Sequence, residues 1–366
     1  MNTTQRVRRA GLATVAALVI GGSGVAIGAA AADSSASGTL AAATATQSPA
    51  APATAPGVKG PGPASYASVV RQVLPSVVLI RTENGLGSGV VLDTKGNIVT
   101  NAHVAGNATK FQVQVAGDTA PRSARLVGTY PPDDLAVIRA DDPSRLQPAK
   151  FGDSGTVQAG DVVLAIGNPL GLSGSVTQGI ISATDRAVTE PATDGSPAAT
   201  LPGAIQTSAP INPGNSGGAL VSASGQVIGI PTLAAGSPQG GGQAQGIGFA
   251  IPSNLARDIA TQIIDTGHVT NSHRAAIGAE VATVLGPDGT AGGVGVVAVS
   301  SGGGAERAGL RAGDVITAVG GAQTTDTTAL SQALAAAEPG DTVTVTTSRD
   351  GQDRSVQVRL GELPGS

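Results

Sequence analysis

Residues 66–252 consist mainly of short apolar runs that are rich in Val and Ile and are bounded by Gly, Asp, Asn or Pro. Runs of this kind are typical of the strands in sandwiches and barrels. No helical periodicity of useful length interrupts them, so the pattern predicts an all-β body. The expected strands are 77–80, 89–92, 97–100, 111–115, 135–138, 162–166, 175–183, 219–221 and 227–230.

The pattern changes to a helical period at residue 253. Ser253 is a candidate N-cap, and apolar residues follow at i, i+4 and i+8, namely Leu255, Ile259 and Ile263. Gly267 is the expected end of this helix. The helix therefore closes the β-rich body.

A second, smaller unit is expected over residues 275–360. It contains one helical pattern, 327–337, with Leu330 and Leu334 on one face and a Pro-Gly pair ending it. Because strands and a helix alternate here, the pattern predicts a small α+β domain. The strand-like runs are 294–299, 314–319, 342–347 and 355–360.

The N-terminus has the pattern of an export segment. Arg6, Arg8 and Arg9 precede an uncharged stretch that ends in small residues at 30–32. A stretch of about 20 apolar residues also suffices to cross a bilayer, so residues 1–32 are either a signal peptide or a membrane anchor. Residues 33–63 are almost entirely Ala, Ser, Thr, Pro and Gly, which predicts a disordered linker.

Composition and charge exclude several function classes. The net charge is −4 and no long basic run occurs, so no nucleic-acid partner is expected. The chain has no cysteine, which excludes disulfides and thiolate metal sites. It has three histidines, and His268 and His273 lack nearby acidic or thiol ligands and are expected to be solvated linker residues. We therefore predict neither a metal nor another cofactor.

The strongest chemical feature is the segment GNSGG at 214–218. A serine hydroxyl is a poor nucleophile until a base removes its proton, and the oxyanion that forms needs backbone N–H donors. Glycines on both sides allow a sharp turn in which the N–H groups of Gly214 and Ser216 face one oxyanion hole, with Asn215 between them. Turns of Gly, Asn and Ser are commonplace, so this segment alone is weak evidence.

Two further residues make the segment informative. His103 follows the expected strand 97–100, and the adjacent carboxylates Asp133 and Asp134 precede the strand 135–138. The segment 214–218 also fits the G-x-S-x-G elbow of α/β-hydrolases, but that fold places its acid and histidine after the serine. The order His, Asp, Ser instead matches the chymotrypsin-type double barrel.

Taken together, the motifs resemble the HtrA (Deg) family of trypsin-like serine proteases. The resemblance covers about residues 66–267 and is carried by SGVV at 88–91, TNAHV at 100–104, DLAVI at 134–138, AIGNP at 165–169, INPGNSGGAL at 211–220 and GIGFAIP at 246–252. It implies an all-β double barrel at residues 64–267. It also implies that Ser216 is the nucleophile, that His103 is the general base and then acid, and that Asp134 orients the imidazole. The family motif places the carboxylate immediately before the apolar strand, which favours Asp134 over Asp133.

The resemblance also implies which residues form the pocket for the side chain before the cleaved bond (the S1 pocket). In double-barrel proteases the residue six before the nucleophile lies at the base of this pocket, and here it is Pro210, not an acid. Ile211, Thr232 and Leu233 then suggest an apolar pocket for small or medium aliphatic side chains. Cleavage after Lys or Arg is not expected.

Residues 268–366 resemble a PDZ domain with a connecting segment, chiefly through AGLRAGDVI at 308–316. In that fold a C-terminal peptide adds as a strand between an edge strand and a helix. The resemblance implies that the helix is 327–337 and that backbone N–H groups near Ile277 and Gly278 take the carboxylate. The expected peptide-binding residues are Ala276, Ile277, Gly278, Ala279 and Leu330.

The leading function is therefore extracytoplasmic endopeptidase action on exported, unfolded or damaged proteins. A peptide-binding or chaperone-like protein without cleavage is the runner-up, and an esterase is a third alternative. Residues 184–203 and 234–245 are expected to be long Gly/Pro/Ser-rich loops beside the cleft. Tyr66 is the only aromatic residue near the start of the protease region, so a homo-oligomer is left open.

Overall fold

The computed structural model describes residues 63–83, 85–168, 174–190, 199–212, 214–236, 243–286 and 289–364. All of them belong to one compact unit, Lys59–Ser366. The predicted signal or anchor and the predicted linker up to residue 62 lie outside the described residues. Within the described ranges, no helix combines the length and the apolar character needed to cross a membrane.

Six antiparallel strands close a first barrel in the order β1-β2-β3-β6-β5-β4. Its interior is filled by inward-facing aliphatic residues such as Val78, Ile80, Ile98 and Ile138, each of which is fully buried. The strands are β1 Val77–Arg81, β2 Leu86–Val91, β3 Asn97–Thr100, β4 Lys110–Val115, β5 Arg122–Tyr130 and β6 Leu135–Ala140.

A second closed barrel has the order β10-β11-β12-β9-β8-β7. A buried cluster that includes Val90 and Val137 of the first barrel and Leu164 and Val221 of the second packs the two barrels together. The predicted all-β double barrel is therefore confirmed. The strands are β7 Val162–Gly167, β8 Ser175–Glu190, β9 Ala199–Thr207, β10 Ala219–Ser222, β11 Val227–Gly236 and β12 Gln243–Pro252.

The two expected loops of the second barrel are much shorter than predicted. Most of the segment 184–203 belongs to the β8–β9 hairpin, with Val188 opposite Leu201. Leu201 is 2% exposed, so its burial supports pairing that the Gly- and Pro-rich composition conceals. Strands β11 and β12 likewise occupy both ends of 234–245. Residues 191–198 and 237–242 lie outside the described ranges.

Helix α1, Pro63–Val73, corrects the prediction that residues from 66 onward form only strands. Val69 and Val73 lie four residues apart and are 6% and 4% exposed, because this spacing turns both toward the core between the barrels. A short helix α2, Ala102–Ala105, follows β3.

Helix α3, Ser253–Thr266, begins and ends as expected, but its start is not capped by the Ser253 side chain. Pro252 is its N-cap, and Ser253 lies inside the helix and makes no cap hydrogen bond. The Ser253 hydroxyl instead donates to the carbonyl of Gly152 at 2.9 Å. Gly267 ends the helix in the left-handed region, with φ +82°, as predicted.

The C-terminal domain is the predicted small α+β unit. A sheet of order β14-β15-β16-β18-β19 leaves β14 at one edge, and α5 contacts that strand. Helix α5 starts after its cap Asp326 and stops at Leu334, three residues before the predicted end. The elements are β13 Ala275–Ala276, β14 Ala279–Leu285, β15 Ala291–Val299, α4 Gly304–Arg307, β16 Val315–Val319, β17 Ala322–Gln323, α5 Thr327–Leu334, β18 Thr342–Arg349, β19 Gln352–Arg359 and β20 Gly361–Glu362.

Candidate active site

His103 and Asp134 meet because β3 and β6 are neighbours in the first barrel. Thr100 at the end of β3 pairs with Ala136 near the start of β6. His103 therefore lies in the turn of α2 directly beside the residue that precedes β6. Its Nδ1 lies 2.9 Å from Asp134 Oδ2 and 3.1 Å from Oδ1, and its backbone N–H donates to Oδ1 at 3.0 Å.

Asp134 is held in an unusual backbone conformation, with φ 51° and ψ 43°. For a residue other than glycine this left-handed conformation costs about 1–3 kcal/mol and persists only when the surroundings enforce it. The Asp134 carbonyl accepts from Ala102 N at 3.0 Å and from Asn101 Nδ2 at 3.1 Å. Its N–H donates to the carbonyl of Pro131 at 2.9 Å. These bonds turn the carboxylate toward His103.

Asp133, the rival carboxylate, faces a different partner. Its Oδ1 lies 3.0 Å from Nη1 of Arg274, in the segment that leads to the C-terminal domain. Burial raises the pKa of Asp133 to about 6, and the nearby Arg274 opposes this rise. Burial also raises the pKa of the neighbouring Tyr130 hydroxyl to about 12. The geometry thus supports Asp134, and not Asp133, as the partner of His103.

Thr232 joins the two barrels at this site, a role that its sequence context does not predict. Its hydroxyl donates to Asp134 Oδ2 at 2.6 Å, and its carbonyl accepts from the Ser216 hydroxyl at 2.9 Å. A continuous set of contacts therefore runs from Ser216 through Thr232 and Asp134 to His103. Thr232 was expected in the S1 pocket, but its hydroxyl is directed at the Asp134 carboxylate.

Ser216 is partly buried, and its hydroxyl has one proton to donate. In the structure the hydroxyl donates that proton to the Thr232 carbonyl at 2.9 Å. Transfer of the same proton to His103 requires that the hydroxyl release this bond.

The predicted oxyanion loop is shaped by two glycines with positive φ, Gly214 at +101° and Gly217 at +78°. The N–H of Asn215 donates to the carbonyl of Asn212 at 2.9 Å, and its side chain reaches the Pro210 carbonyl at 3.4 Å. This corrects the inclusion of Asn215 among the oxyanion-hole residues, because its N–H is already engaged. Gly214 and Ser216 stay as the predicted donors.

The other expected S1 residues have different environments. Pro210 is exposed, and its carbonyl accepts from the Thr177 hydroxyl at 2.7 Å. Ile211 is 4% exposed and packs in the interior of the second barrel. Leu233 belongs to β11 and pairs with Phe249. The apolar preference of the S1 pocket stays a prediction.

Four of the five expected peptide-binding residues lie at or just before the start of the edge strand β14, and the fifth, Leu330, lies on α5. Ile277 is 3% exposed, and its carbonyl accepts from the N–H of Ala305 in α4 at 2.7 Å. Gly278 has φ +77°, which allows the sharp turn into Ala279. Ala276 forms β13, and Leu330, 5% exposed, lies on α5 in the core of the domain.

The two linker histidines have polar partners, and the expectation that neither has an acidic neighbour is wrong for His273, because the chain fold brings Asp258 of α3 next to it. Nδ1 of His268 lies 3.1 Å from the carbonyl of Thr266, and Nε2 of His273 lies 3.1 Å from Asp258 Oδ2. Within the described part of the chain, no three or more His, Cys, Asp or Glu side chains come together in a way that could hold a metal.

Comparisons with known proteins agree with this architecture. The model of the trypsin-like peptidase domain matches residues 87–230, and that of the PDZ domain matches residues 269–360. A serine protease PepD of Mycobacterium tuberculosis is 38% identical over 97% of this chain and 78% of its own length. The periplasmic serine endoprotease DegP of Escherichia coli K12 is 39% identical over 75% of this chain, which spans 56% of DegP.

Solved structures give the same result. A serine endoprotease from Yersinia pestis is 37% identical, with a TM-score of 0.52 over 82% of this chain and 98% of the other. The HtrA-type protease AlgW, solved with a decapeptide, is 34% identical, with a TM-score of 0.53 over 82% of this chain and 99% of the other. With both domains matched in the same order, the chain belongs to the HtrA family of trypsin-like serine endopeptidases that have a PDZ domain.

Proposed function

We propose that this protein hydrolyses peptide bonds with Ser216 as nucleophile, His103 as general base and acid, and Asp134 as the carboxylate that orients His103. The observation that carries the proposal is the continuous contact from the Ser216 hydroxyl through Thr232 to Asp134 and His103. Family membership shows the class of enzyme, and this geometry supports the assignment of the residues.

The arrangement accounts for each proton in the reaction. Asp134 accepts the Nδ1–H of His103, which leaves Nε2 of the neutral ring as the base. Nε2 takes the proton of the Ser216 hydroxyl as its oxygen bonds to the scissile carbonyl carbon. The N–H groups of Gly214 and Ser216 then stabilise the oxyanion.

The second half of the reaction uses the same groups in reverse. The imidazolium of His103 donates its proton to the nitrogen of the leaving amine as the peptide bond breaks, and an acyl-enzyme forms on Ser216. A water molecule then attacks the acyl carbon and gives a proton to Nε2. Ser216 leaves with that proton, and the acid product is released.

The proposed substrates are exported proteins in unfolded or damaged form, and the proposed location is extracytoplasmic. The names of the Escherichia coli relatives DegP and DegQ include the word periplasmic, which supports this location. Peptides with a free C-terminus are the proposed ligands of the PDZ domain, at the edge of β14. Retention of residues 10–32 as an anchor, and a homo-oligomeric state, stay predictions.

Casein hydrolysis by the purified full chain tests the proposal, with Ser216→Ala compared against Ser224→Ala, a change at an exposed serine in the β10–β11 turn. Ser216→Ala should lower the rate by on the order of 10⁶-fold, whereas Ser224→Ala should leave it unchanged. Cleavage by Ser216→Ala at the wild-type rate would reject Ser216 as nucleophile. If C-terminal peptides are present and wild type neither cleaves casein nor reacts with a fluorophosphonate, the peptide-binding function would replace this one.

A further inference from the structure

Ser88 lies at the contact between the two barrels and is fully buried. It belongs to β2 of the first barrel, yet both hydrogen bonds of its hydroxyl reach the second. The hydroxyl donates to the carbonyl of Gly214 at 2.5 Å and accepts from the N–H of Asn168 at 2.8 Å. One side chain thus connects the end of β7 with the loop that carries the predicted nucleophile.

The backbone of Ser88 adds two further contacts to the same region. Its N–H donates to the carbonyl of Ser216 at 2.9 Å, and its own carbonyl accepts from the Thr100 hydroxyl at 2.7 Å. Any side chain on Gly217 would overlap the Ser88 carbonyl, so glycine there permits the close approach. The nucleophile loop therefore rests directly on Ser88.

These contacts restrain the peptide unit between Gly214 and Asn215 at both ends. The Ser88 hydroxyl donates to the carbonyl of this unit, which belongs to Gly214. The N–H of the unit, which belongs to Asn215, donates to the carbonyl of Asn212 at 2.9 Å. Gly214 has φ +101°, and a glycine rotates easily into other conformations. With its carbonyl fixed, Gly214 has less freedom to turn its own N–H away from the developing oxyanion.

We propose that Ser88 is a positioning residue that preorganises the oxyanion-binding backbone of Gly214 and Ser216. The inference rests on the proposed function, because it assumes that Ser216 is the nucleophile. Ser88 touches neither the substrate nor the reacting atoms and acts through the loop. Preorganised donors stabilise the transition state more than the bound substrate, so the loss of Ser88 should act on kcat.

Ser253 offers a matched control for removal of a buried hydroxyl. It is also fully buried in the protease domain, and its hydroxyl likewise donates to a backbone carbonyl, that of Gly152 at 2.9 Å. Its bond lies at the start of α3 and involves none of the triad or oxyanion residues. Ser88→Ala and Ser253→Ala therefore remove the same chemical group from similar environments.

The experiment measures kcat and KM on one peptide substrate for the full-length wild type, Ser88→Ala, Ser253→Ala and Ser216→Ala, well below each protein's Tm. A fluorophosphonate labelling rate is measured alongside. Removing one oxyanion donor outright costs about 10²–10³ in kcat, and here the donors are loosened but not lost. Ser88→Ala should thus lose about 10–100-fold in kcat and labelling rate, with KM within about twofold. Ser253→Ala should keep the wild-type values.

Ser88→Cys keeps the number of side-chain heavy atoms but replaces a strong donor with a larger and weaker one, and it serves if the alanine variant does not fold. The kcat of Ser88→Cys should also fall, while its KM stays nearly constant. The proposal is overturned if the kcat of Ser88→Ala equals that of Ser253→Ala, or if the loss of activity in Ser88→Ala comes from a higher KM. The same criteria apply to Ser88→Cys if it replaces the alanine variant. Full activity in Ser216→Ala would overturn the proposed function instead, so the two failures are distinguishable.

Discussion

Arg274 lies near the start of the region that matches the PDZ domain and contacts Asp133, the residue next to Asp134. Its Nη1 lies 3.0 Å from Asp133 Oδ1 and 2.5 Å from the carbonyl of Pro132. The side chain of Asp133 is 0% exposed and that of Arg274 is 11% exposed. Arg274→Met keeps an extended apolar side chain but leaves the buried carboxylate without its cation.

Removing one partner of a buried ion pair costs about 3–5 kcal/mol. We expect Arg274→Met to lower the free energy of unfolding by about that amount at about pH 8. Burial already raises the pKa of Asp133 to about 6 in the wild type, and Arg274 opposes the rise. Without Arg274 the pKa of Asp133 must therefore lie above 6.

The pH dependence follows from the direction of this shift. The pKa of Asp133 is higher in the folded chain than its ordinary value of 3.8, so the folded state binds more protons between these values. Protonation of Asp133 therefore adds to the free energy of unfolding at low pH. This contribution is lost as the pH rises through the pKa of Asp133 in the folded chain. In Arg274→Met that loss occurs at a higher pH than in the wild type. The difference in stability between the two should narrow by up to about 1.4 kcal/mol per unit as the pH falls from about 8 toward 6.

Urea denaturation at several pH values between about 5 and 8 measures this difference. Asp133→Asn and the double variant Asp133→Asn with Arg274→Met form the control pair, because an amide does not titrate in this range. The difference in stability within the control pair should not vary with pH. A cost below about 1 kcal/mol at pH 8, or an equal cost at pH 6 and pH 8, would show that Arg274 does not stabilise the buried Asp133 carboxylate.

Three other substitutions test separate contacts. Thr232→Val removes the 2.6 Å hydrogen bond to Asp134 Oδ2 and leaves this buried oxygen with one partner fewer. We expect kcat to fall about tenfold, and the free energy of unfolding, measured by urea denaturation, to fall by about 1–3 kcal/mol. Gly217→Ala places a methyl group against the Ser88 carbonyl at φ +78°, and its fluorophosphonate labelling should fall by more than about 100-fold; wild-type labelling would contradict the tight packing. Gly304→Ala places a methyl group on a backbone carbonyl of β19 and should abolish C-terminal peptide binding in calorimetry, while cleavage of short peptides persists.

The sequence predicted the strands and the residue types of the site because both are local patterns. The choice of Asp134 over Asp133 needed the family motif, and the structure supplies its physical basis: one carboxylate faces His103 and the other faces Arg274. The roles of Thr232 and Ser88 could not be predicted. Each acts on residues about 100 positions away, in the other barrel.

Where the structure departs from the local sequence pattern, tertiary contacts outweigh local preference. Helix α1 contains β-branched residues that locally favour strands, but Val69 and Val73 are buried at helical spacing. The β8–β9 hairpin is rich in Gly, Pro and Ser, yet its register buries Leu201. Serine is a common N-cap residue, but the hydroxyl of Ser253 donates its hydrogen bond to the carbonyl of Gly152 and does not cap the helix.

Peptide mapping after reaction with a fluorophosphonate tests whether Ser216 is the activated nucleophile. The wild type should gain one adduct, located on Ser216. His103→Ala should label far more slowly, and Ser216→Ala should not label there at all. An adduct on another serine, or equal labelling rates in the wild type and His103→Ala, would contradict the assignment of the triad.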